Sequence, residues 1–200
     1  MLPDTLAAEA ANTSATEWLA VAAAVLYLLL AIRQSIWCWA FALVSTALYS
    51  WIFLEARLYM ESVLNVYYFA VALYGWYAWS GDPATSEVLT VTTRPLGFHA
   101  TALAILLLLA AINGYLLESR TDAEFPYVDS FTTWGAMWTT WLVARKVFEN
   151  WIYWFVIDGI SVAVYWARDL ELTAALFVVY LLMIPFGMLS WFRSMQESRA

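Results

Sequence analysis

Long apolar runs separated by short polar breaks fill the sequence from about residue 16 to residue 191. A helix rises 1.5 Å per residue, so about 17–25 apolar residues cross the roughly 30 Å hydrocarbon core of a bilayer. The runs predict helices over 16–32, 36–54, 61–79, 98–117, 131–144, 150–166 and 172–191. The fifth run needs its flanking residues to reach the required length. The pattern therefore predicts an all-α integral membrane protein with about seven transmembrane helices.

Polar segments flank this apolar region at both ends. We expect a polar N-terminal tail over 1–15, a single transmembrane domain over 16–192 and a C-terminal tail over 193–200. Acidic residues precede the first apolar run and no basic segment does, which is not typical of a cleaved signal peptide. The first helix should therefore remain in the protein.

Lysine and arginine residues are unequally divided between the two ends of such a seven-helix arrangement. One end would carry Arg33, Arg94, Arg145, Lys146, Arg193 and Arg199, whereas the other would carry Arg57, Arg120 and Arg168. Cytoplasmic loops hold the excess of basic residues in membrane proteins. We therefore expect a multi-pass protein of the cell (inner) membrane, with its N-terminus outside and its C-terminus in the cytoplasm.

Two stretches of the chain, 35–80 and 149–194, resemble each other at a separation of roughly 113 residues. Each contains an aromatic-rich helix with a central polar residue, a charged turn, and a helix that ends in a small residue and Trp. Matching helices are four apart, so the repeats would be parallel. This predicts a three-helix bundle over 16–79, a linker helix over 98–117 and a second bundle over 131–191. Alternatively, two apolar and aromatic segments resemble each other through composition alone.

The composition agrees with a bilayer as the solvent, since 64% of the residues are hydrophobic and only 12% are charged. The aromatic share of 18% exceeds the need of interfacial belts, so some rings should line an interior. Trp79 and Trp191, near helix ends, are expected to be interfacial anchors. One cysteine, one histidine and a net charge of −7 favour neither a metal site, a cofactor, an enzyme nor a nucleic-acid partner.

One acidic residue, Asp158, lies about eight residues from either end of a predicted helix, at the depth of the bilayer centre. A charge at this depth costs at least about 2.5–3.5 kcal/mol, so Asp158 should face the interior and be paired or protonated. No Lys or Arg is expected at the same depth, so a cationic partner would come from outside the protein. Trp151, Trp154, Ser161 and Tyr165 share its helix face, and indoles beside a carboxylate suit an organic cation. A protonated, hydrogen-bonded Asp158 and a proton relay are the alternatives.

Polar residues on two other helices are further candidates for substrate contact. Asn65 and Tyr68 belong to a stripe on the third helix that would either pack or bind. Ser45 is assigned the place in the first repeat that Asp158 occupies in the second. No catalytic residue or metal ligand is predicted. The expected substrate-binding residues are Asp158, Trp154, Trp151, Asn65, Ser45 and Tyr68.

Three segments of the chain, LYGWYAW, FPYVDS and RKVFENWIYWFVIDGIS, resemble those of PnuC-type vitamin transporters. The resemblance covers roughly residues 36–191. It implies uptake of a cationic vitamin, most often nicotinamide riboside, by facilitated diffusion with trapping through intracellular phosphorylation. It also implies a bundle similar to the SWEET sugar facilitators and a homotrimer.

Three positions depart from the pattern of this family. Its nicotinamide riboside carriers usually have Asn, Gln and Asn where this chain has Ser45, Asn65 and Asp158. An acid in place of an amide strengthens the attraction for a cation and permits a hydrogen bond to a protonatable group. The pyridinium of nicotinamide riboside and the thiazolium of thiamine both fit. We expect nicotinamide riboside, with thiamine as the alternative, and keep a proton-coupled carrier and a structural or signalling protein as further hypotheses.

Overall fold

The computed structural model describes residues 14–55, 57, 59–81, 89–168 and 170–198, without the side chains of residues 59, 60 and 172. Over these residues the chain forms seven α-helices, which confirms the all-α prediction. They are α1 (Ala15–Ile32), α2 (Trp37–Glu55), α3 (Tyr59–Trp79), α4 (Leu96–Arg120), α5 (Pro126–Ala144), α6 (Asn150–Ala167) and α7 (Glu171–Glu197). The first 13 residues of the expected tail and Arg199 lie outside the described residues.

Two helices are longer than their apolar runs predict. α5 begins at Pro126, five residues before the expected start, because proline suits the first turn of a helix, where its missing N–H is not needed. α7 continues to Glu197, six residues past its expected end. Met195 in this extension is buried against the core, so packing carries the helix beyond the apolar run. An apolar run therefore marks the middle of a helix better than its ends.

Four of the described helices are long and apolar enough to cross a membrane by length and composition: α1, α2, α4 and the part of α7 over Thr173–Glu197. The other three, α3, α5 and α6, contain more Trp, Tyr, Ser and Thr. These side chains lower the hydropathy of a helix without preventing its burial between other helices. The described helices therefore support a multi-pass membrane protein.

The helices pack in two groups of three. α1, α2 and α3 contact one another in chain order, and so do α5, α6 and α7, while α4 packs against α5. The two groups meet along two seams, where α3 contacts α5 and where α1 contacts α7. Each seam therefore joins the last helix of one group to the first helix of the other.

The two groups repeat the same backbone devices. A Cβ atom added to Gly75 would lie 2.3 Å from the indole of Trp39, and one added to Gly187 would lie 2.3 Å from the indole of Trp151. Left-handed backbone follows the first helix of each group, at Gln34 and at Lys146. The matching positions in all three pairs are 112 residues apart. A common structure of the two groups explains the similarity of their sequences better than composition does.

This offset corrects the expected partner of Asp158 by one residue. Neither α2 nor α6 is interrupted, so a constant offset pairs Asp158 with Thr46 and pairs Ser45 with Ile157. The Ser45 hydroxyl donates to the Ala20 carbonyl on α1, 3.1 Å away. Ile157 correspondingly packs beside Gly135 on α5. Ser45 and Ile157 thus both face the first helix of their own group, and Ser45 is not the counterpart of Asp158.

Four indoles form the centre of the molecule at one end of the helices, and we call them the tryptophan cluster. Their rings contact one another in the order Trp39, Trp79, Trp191 and Trp151. The indole N–H of Trp79 donates to the Ala144 carbonyl, and that of Trp191 donates to the Ala31 carbonyl. Trp79 and Trp191 are 5% and 0% exposed, so the expectation of interfacial anchors is wrong. Each indole instead joins the two groups.

Candidate functional site

Asp158 lies in the middle of α6 and is only 4% exposed. Among the described residues, no side chain forms a hydrogen bond or an ion pair with its carboxylate. An ionised carboxylate that is removed from water is costly unless another group compensates it. Asp158 is therefore the described buried residue whose charge is least provided for by the protein itself.

The nearest cation along α6 is already neutralised. Arg168, at the C-terminal end of this helix, donates to the Asp129 carboxylate at 2.6 Å and stacks over the ring of Phe125. It follows Asp158 by ten residues, about 15 Å along the helix axis. Arg168 consequently fixes the end of α6 against α5 and is not a counter-ion for Asp158.

Tyrosine side chains from neighbouring helices surround the level of Asp158. Tyr180 on α7 lies within electrostatic range of Asp158 and of Tyr49 on α2. Tyr68 on α3 lies within electrostatic range of Tyr165 on α6. A tyrosine offers a flat aromatic face and a hydroxyl that donates or accepts. These residues give the interior around Asp158 both aromatic and polar character.

Aromatic contacts extend this wall along α6 and α7. The ring of Phe177 lies 5.2 Å from that of Tyr165 and 5.6 Å from that of Tyr180, measured between centroids. On the opposite group, Tyr49 stacks on Phe53 at 5.6 Å. Sequence reasoning missed Tyr49 and Tyr180. Their positions away from both helix ends are the signal that could have identified them.

The two tryptophans predicted beside Asp158 have different environments. Trp154, one turn before Asp158, is partly buried at the edge of the core. Trp151 precedes Asp158 by two turns, about 10 Å along the axis, and belongs to the tryptophan cluster. Its ring packs on Gly187 and is 2% exposed. The structure therefore brings Trp154 near the carboxylate and uses Trp151 for packing.

The remaining predicted contacts are less free than the sequence indicated. The Asn65 side-chain amide donates to the Glu61 carbonyl, 2.9 Å away in its own helix. The Ser45 hydroxyl is bonded to α1. Tyr68 is partly buried and contacts Tyr67 edge to face at 5.7 Å. Of these three, Tyr68 has the closest link to the wall of the site, through Tyr165.

Two further charged positions lie outside this site. Lys146, between α5 and α6, is buried, and its ammonium lies 4.6 Å from the centroid of Trp79. Burial lowers the pKa of Lys146, and electrostatic interaction with Cys38 partly offsets this effect. His99 on α4 shares a hydrogen bond of 3.0 Å with Tyr153 and lies 3.8 Å from Glu149. The described residues contain no cluster of three or more His, Cys, Asp or Glu that could hold a metal ion.

Comparison with known proteins identifies relatives along nearly the whole chain. The family model described as nicotinamide mononucleotide transporter matches residues 14–193. The nicotinamide riboside transporter PnuC of Escherichia coli K12 is 26% identical over 183 residues, covering 78% of this chain and 76% of that protein. The riboflavin/roseoflavin transporter RibM of Streptomyces davaonensis is 24% identical over 176 residues, covering 86% and 82%.

The fold has a counterpart among solved structures. The crystal structure of the vitamin B3 transporter PnuC matches with a TM-score of 0.68 and 18% identity, covering 90% of this chain and 81% of that one. These homologues are transporters and not enzymes. Because the family model matches most of its length, the chain belongs to the nicotinamide mononucleotide transporter family, of the PnuC type.

Proposed function

We propose that this transporter carries a small organic cation of the B-vitamin type, with nicotinamide riboside as the first candidate. The observation that supports this substrate class is Asp158, a buried carboxylate without a cationic partner among the described residues. A substrate with a fixed positive charge would supply the missing charge inside the helices. Asp158 is then the counter-ion of the substrate.

The surrounding aromatic side chains suit the flat ring of such a substrate. A cation over an aromatic face gains about 0.5–2 kcal/mol, depending on how far water is excluded. Trp154, Tyr68, Tyr165 and Tyr180 are the rings that we assign to this role. We assign Trp151, Ser45 and Asn65 to the support of the site, because their contacts are with core rings or with backbone carbonyls.

We also propose the architecture and the mode of transport that the family resemblance implies. The chain forms a SWEET-like bundle of three helices, one linker helix and three helices, and three chains form a homotrimer. The matched Gly–Trp contacts in the two groups support parallel repeats. The carrier works by facilitated diffusion in the inner membrane, with its N-terminus outside, and intracellular phosphorylation traps the product.

Riboflavin is the second candidate, because RibM, a riboflavin/roseoflavin transporter, is similar to 86% of this chain. Riboflavin is uncharged and requires no counter-ion, although its flat ring system suits the same aromatic wall. Thiamine carries a thiazolium and stays with nicotinamide riboside in the cationic class. The charge of the substrate therefore separates the candidates.

A ligand screen on the purified transporter tests this proposal. Nicotinamide riboside, thiamine and riboflavin are each added to the protein in detergent, and the shift in thermal unfolding and the heat of binding are measured. We expect binding of a cationic vitamin and a weaker response to riboflavin. Selective binding of riboflavin would overturn the cationic assignment.

Proton coupling is tested separately, because Asp158 could carry a proton as well as face a cation. Uptake of the vitamin identified by the screen is measured in proteoliposomes with and without a protonophore. A facilitator equilibrates its substrate in both cases. Accumulation above the external concentration that a protonophore abolishes would instead identify a proton-coupled carrier.

A further inference from the structure

A groove of about 630 Å³ lies at the seam between α1 and α7, at the end of the helices that carries the tryptophan cluster. Arg33, directly after α1, and Arg193, in the last part of α7, both line it. Both side chains are exposed, and neither forms an ion pair or a side-chain hydrogen bond within the part of the chain that the structure describes. The groove therefore presents two guanidinium groups that the described protein does not neutralise.

The opposite seam shows how the same position can be satisfied internally. Arg145 is the repeat counterpart of Arg33, and it donates to the hydroxyl of Tyr74 at 2.8 Å. The counterpart of Tyr74 at the α1–α7 seam is Phe186, which lines the groove and has no hydroxyl. One arginine is thus paired at the α3–α5 seam, whereas its equivalent at the α1–α7 seam is left for another partner.

The polar side chains of the groove continue along one face of α7. Ser190 and Ser194 add hydroxyls beside Arg193 at helical spacing, and Glu197 lies one turn further out. Two guanidinium groups with hydroxyls favour a phosphate, which arginine can bind in a bidentate manner. The Glu197 carboxylate disfavours a bare anion but can accept hydrogen bonds from the hydroxyls of a larger head group.

The inner end of the groove is apolar and faces outward. Phe186 and Leu189 are 67% and 56% exposed, and both line the groove below the arginines. A bilayer places acyl chains at the level of such residues and phosphates at the level of arginines near helix ends. We propose that this groove binds an anionic phospholipid with a hydroxyl-bearing head group, of the phosphatidylglycerol type, across the α1–α7 seam.

This lipid site is independent of the vitamin that the transporter carries. The bound phosphate contacts Arg33 of the first group and Arg193 of the second, so the lipid takes the place that the Arg145–Tyr74 contact holds at the other seam. The acyl chains lie along Phe186 and Leu189. Glu197 accepts hydrogen bonds from the glycerol head group.

Native mass spectrometry of the full chain, titrated with phosphatidylglycerol, tests the site. We expect the double variant Arg33→Gln/Arg193→Gln to lose more than about tenfold in lipid affinity, since two charge-assisted contacts are removed. The matched control is Arg120→Gln, which changes an exposed arginine at the end of α4. Phe186→Tyr supplies the hydroxyl of the other seam, and we expect a smaller loss because Arg33 gains an internal partner.

Three results would overturn the proposal. The first is unchanged phosphatidylglycerol affinity in a folded double variant, with folding checked by circular dichroism. The second is equal binding of phosphatidylcholine with the same acyl chains, since the head-group charge would then have no role. The third is thermal stabilisation by inorganic phosphate and not by phosphatidylglycerol, which would identify a soluble anion as the ligand.

Discussion

The two three-helix groups share their packing and differ in their chemistry. Both hold a tryptophan against a glycine, at Trp39 with Gly75 and at Trp151 with Gly187. At the equivalent interior position, however, the first group has Thr46 and the second has Asp158. The Thr46 hydroxyl donates to the Ala42 carbonyl of its own helix at 2.8 Å, whereas Asp158 has no described partner.

This difference separates residues that maintain the fold from a residue that serves a substrate. The Gly–Trp contacts leave no room for variation, so a duplicated structure keeps them in both copies. An interior polar position has no such steric requirement, and one copy can acquire a charge. Asymmetry at a position that the repeat makes equivalent is therefore a better guide to the site than polarity alone.

The largest expected effect comes from removing an indole that joins the two groups. We expect Trp79→Ala to cost about 3–5 kcal/mol of stability, because a large buried side chain is lost together with its hydrogen bond to Ala144. Trp191→Ala should cost a similar amount, since it is the counterpart. Thermal unfolding in detergent measures both, with the exposed Trp37→Ala as control. Full tolerance of one substitution would contradict the structural equivalence of the two groups.

Filling the glycine contact should have the next largest effect. Gly187→Ala and Gly75→Ala each force a Cβ atom against an indole and should destabilise by about 1–3 kcal/mol. Gly159→Ala, next to Asp158 in the sequence, is the matched control because its added Cβ meets nothing within 4 Å. The unfolding midpoint in detergent measures all three. A loss of stability in Gly159→Ala as large as in Gly187→Ala would refute the steric account.

A smaller effect is expected when an aromatic neighbour of Asp158 is removed. Trp154→Ala should weaken binding of a cationic vitamin by about 0.5–1 kcal/mol, a few-fold in dissociation constant, through lost cation–π contact. Trp166→Ala, an exposed indole on the same helix, should leave the affinity unchanged. Calorimetry measures both. An equal loss in both variants would indicate a general effect on α6 and not a contact with substrate.

The smallest effect concerns Lys146, whose repeat counterpart Gln34 does not titrate. Because burial lowers its pKa, the folded protein holds this proton less tightly than the unfolded chain does. Its contribution should therefore raise stability as the pH increases from the lowered pKa towards 10.5, the ordinary lysine value. Unfolding midpoints over this pH window should rise less steeply in Lys146→Met. An identical pH dependence in the variant would exclude this contribution.

The sequence predicted the helices and the anomalous acid but not the direction in which most side chains point. Apolar runs located all seven described helices, and membrane energetics alone identified Asp158. Uniformly apolar helices carry little information about which face is inward, so Tyr49 and Tyr180 were missed and Trp151 was assigned to the wrong surroundings. Adjacent polar residues at 45 and 46 likewise concealed the repeat register, which only the paired backbone contacts reveal.

Calorimetric titration of Asp158→Asn tests the central claim most directly, beside the unsubstituted protein and with nicotinamide riboside, thiamine and riboflavin as ligands. The substitution preserves the shape of the side chain and removes its charge. We predict that affinity for the cationic vitamin falls by more than about tenfold, or 1.4 kcal/mol, while any riboflavin binding is unchanged. Equal affinity of the two proteins for the cationic vitamin would contradict the role of Asp158 as its counter-ion.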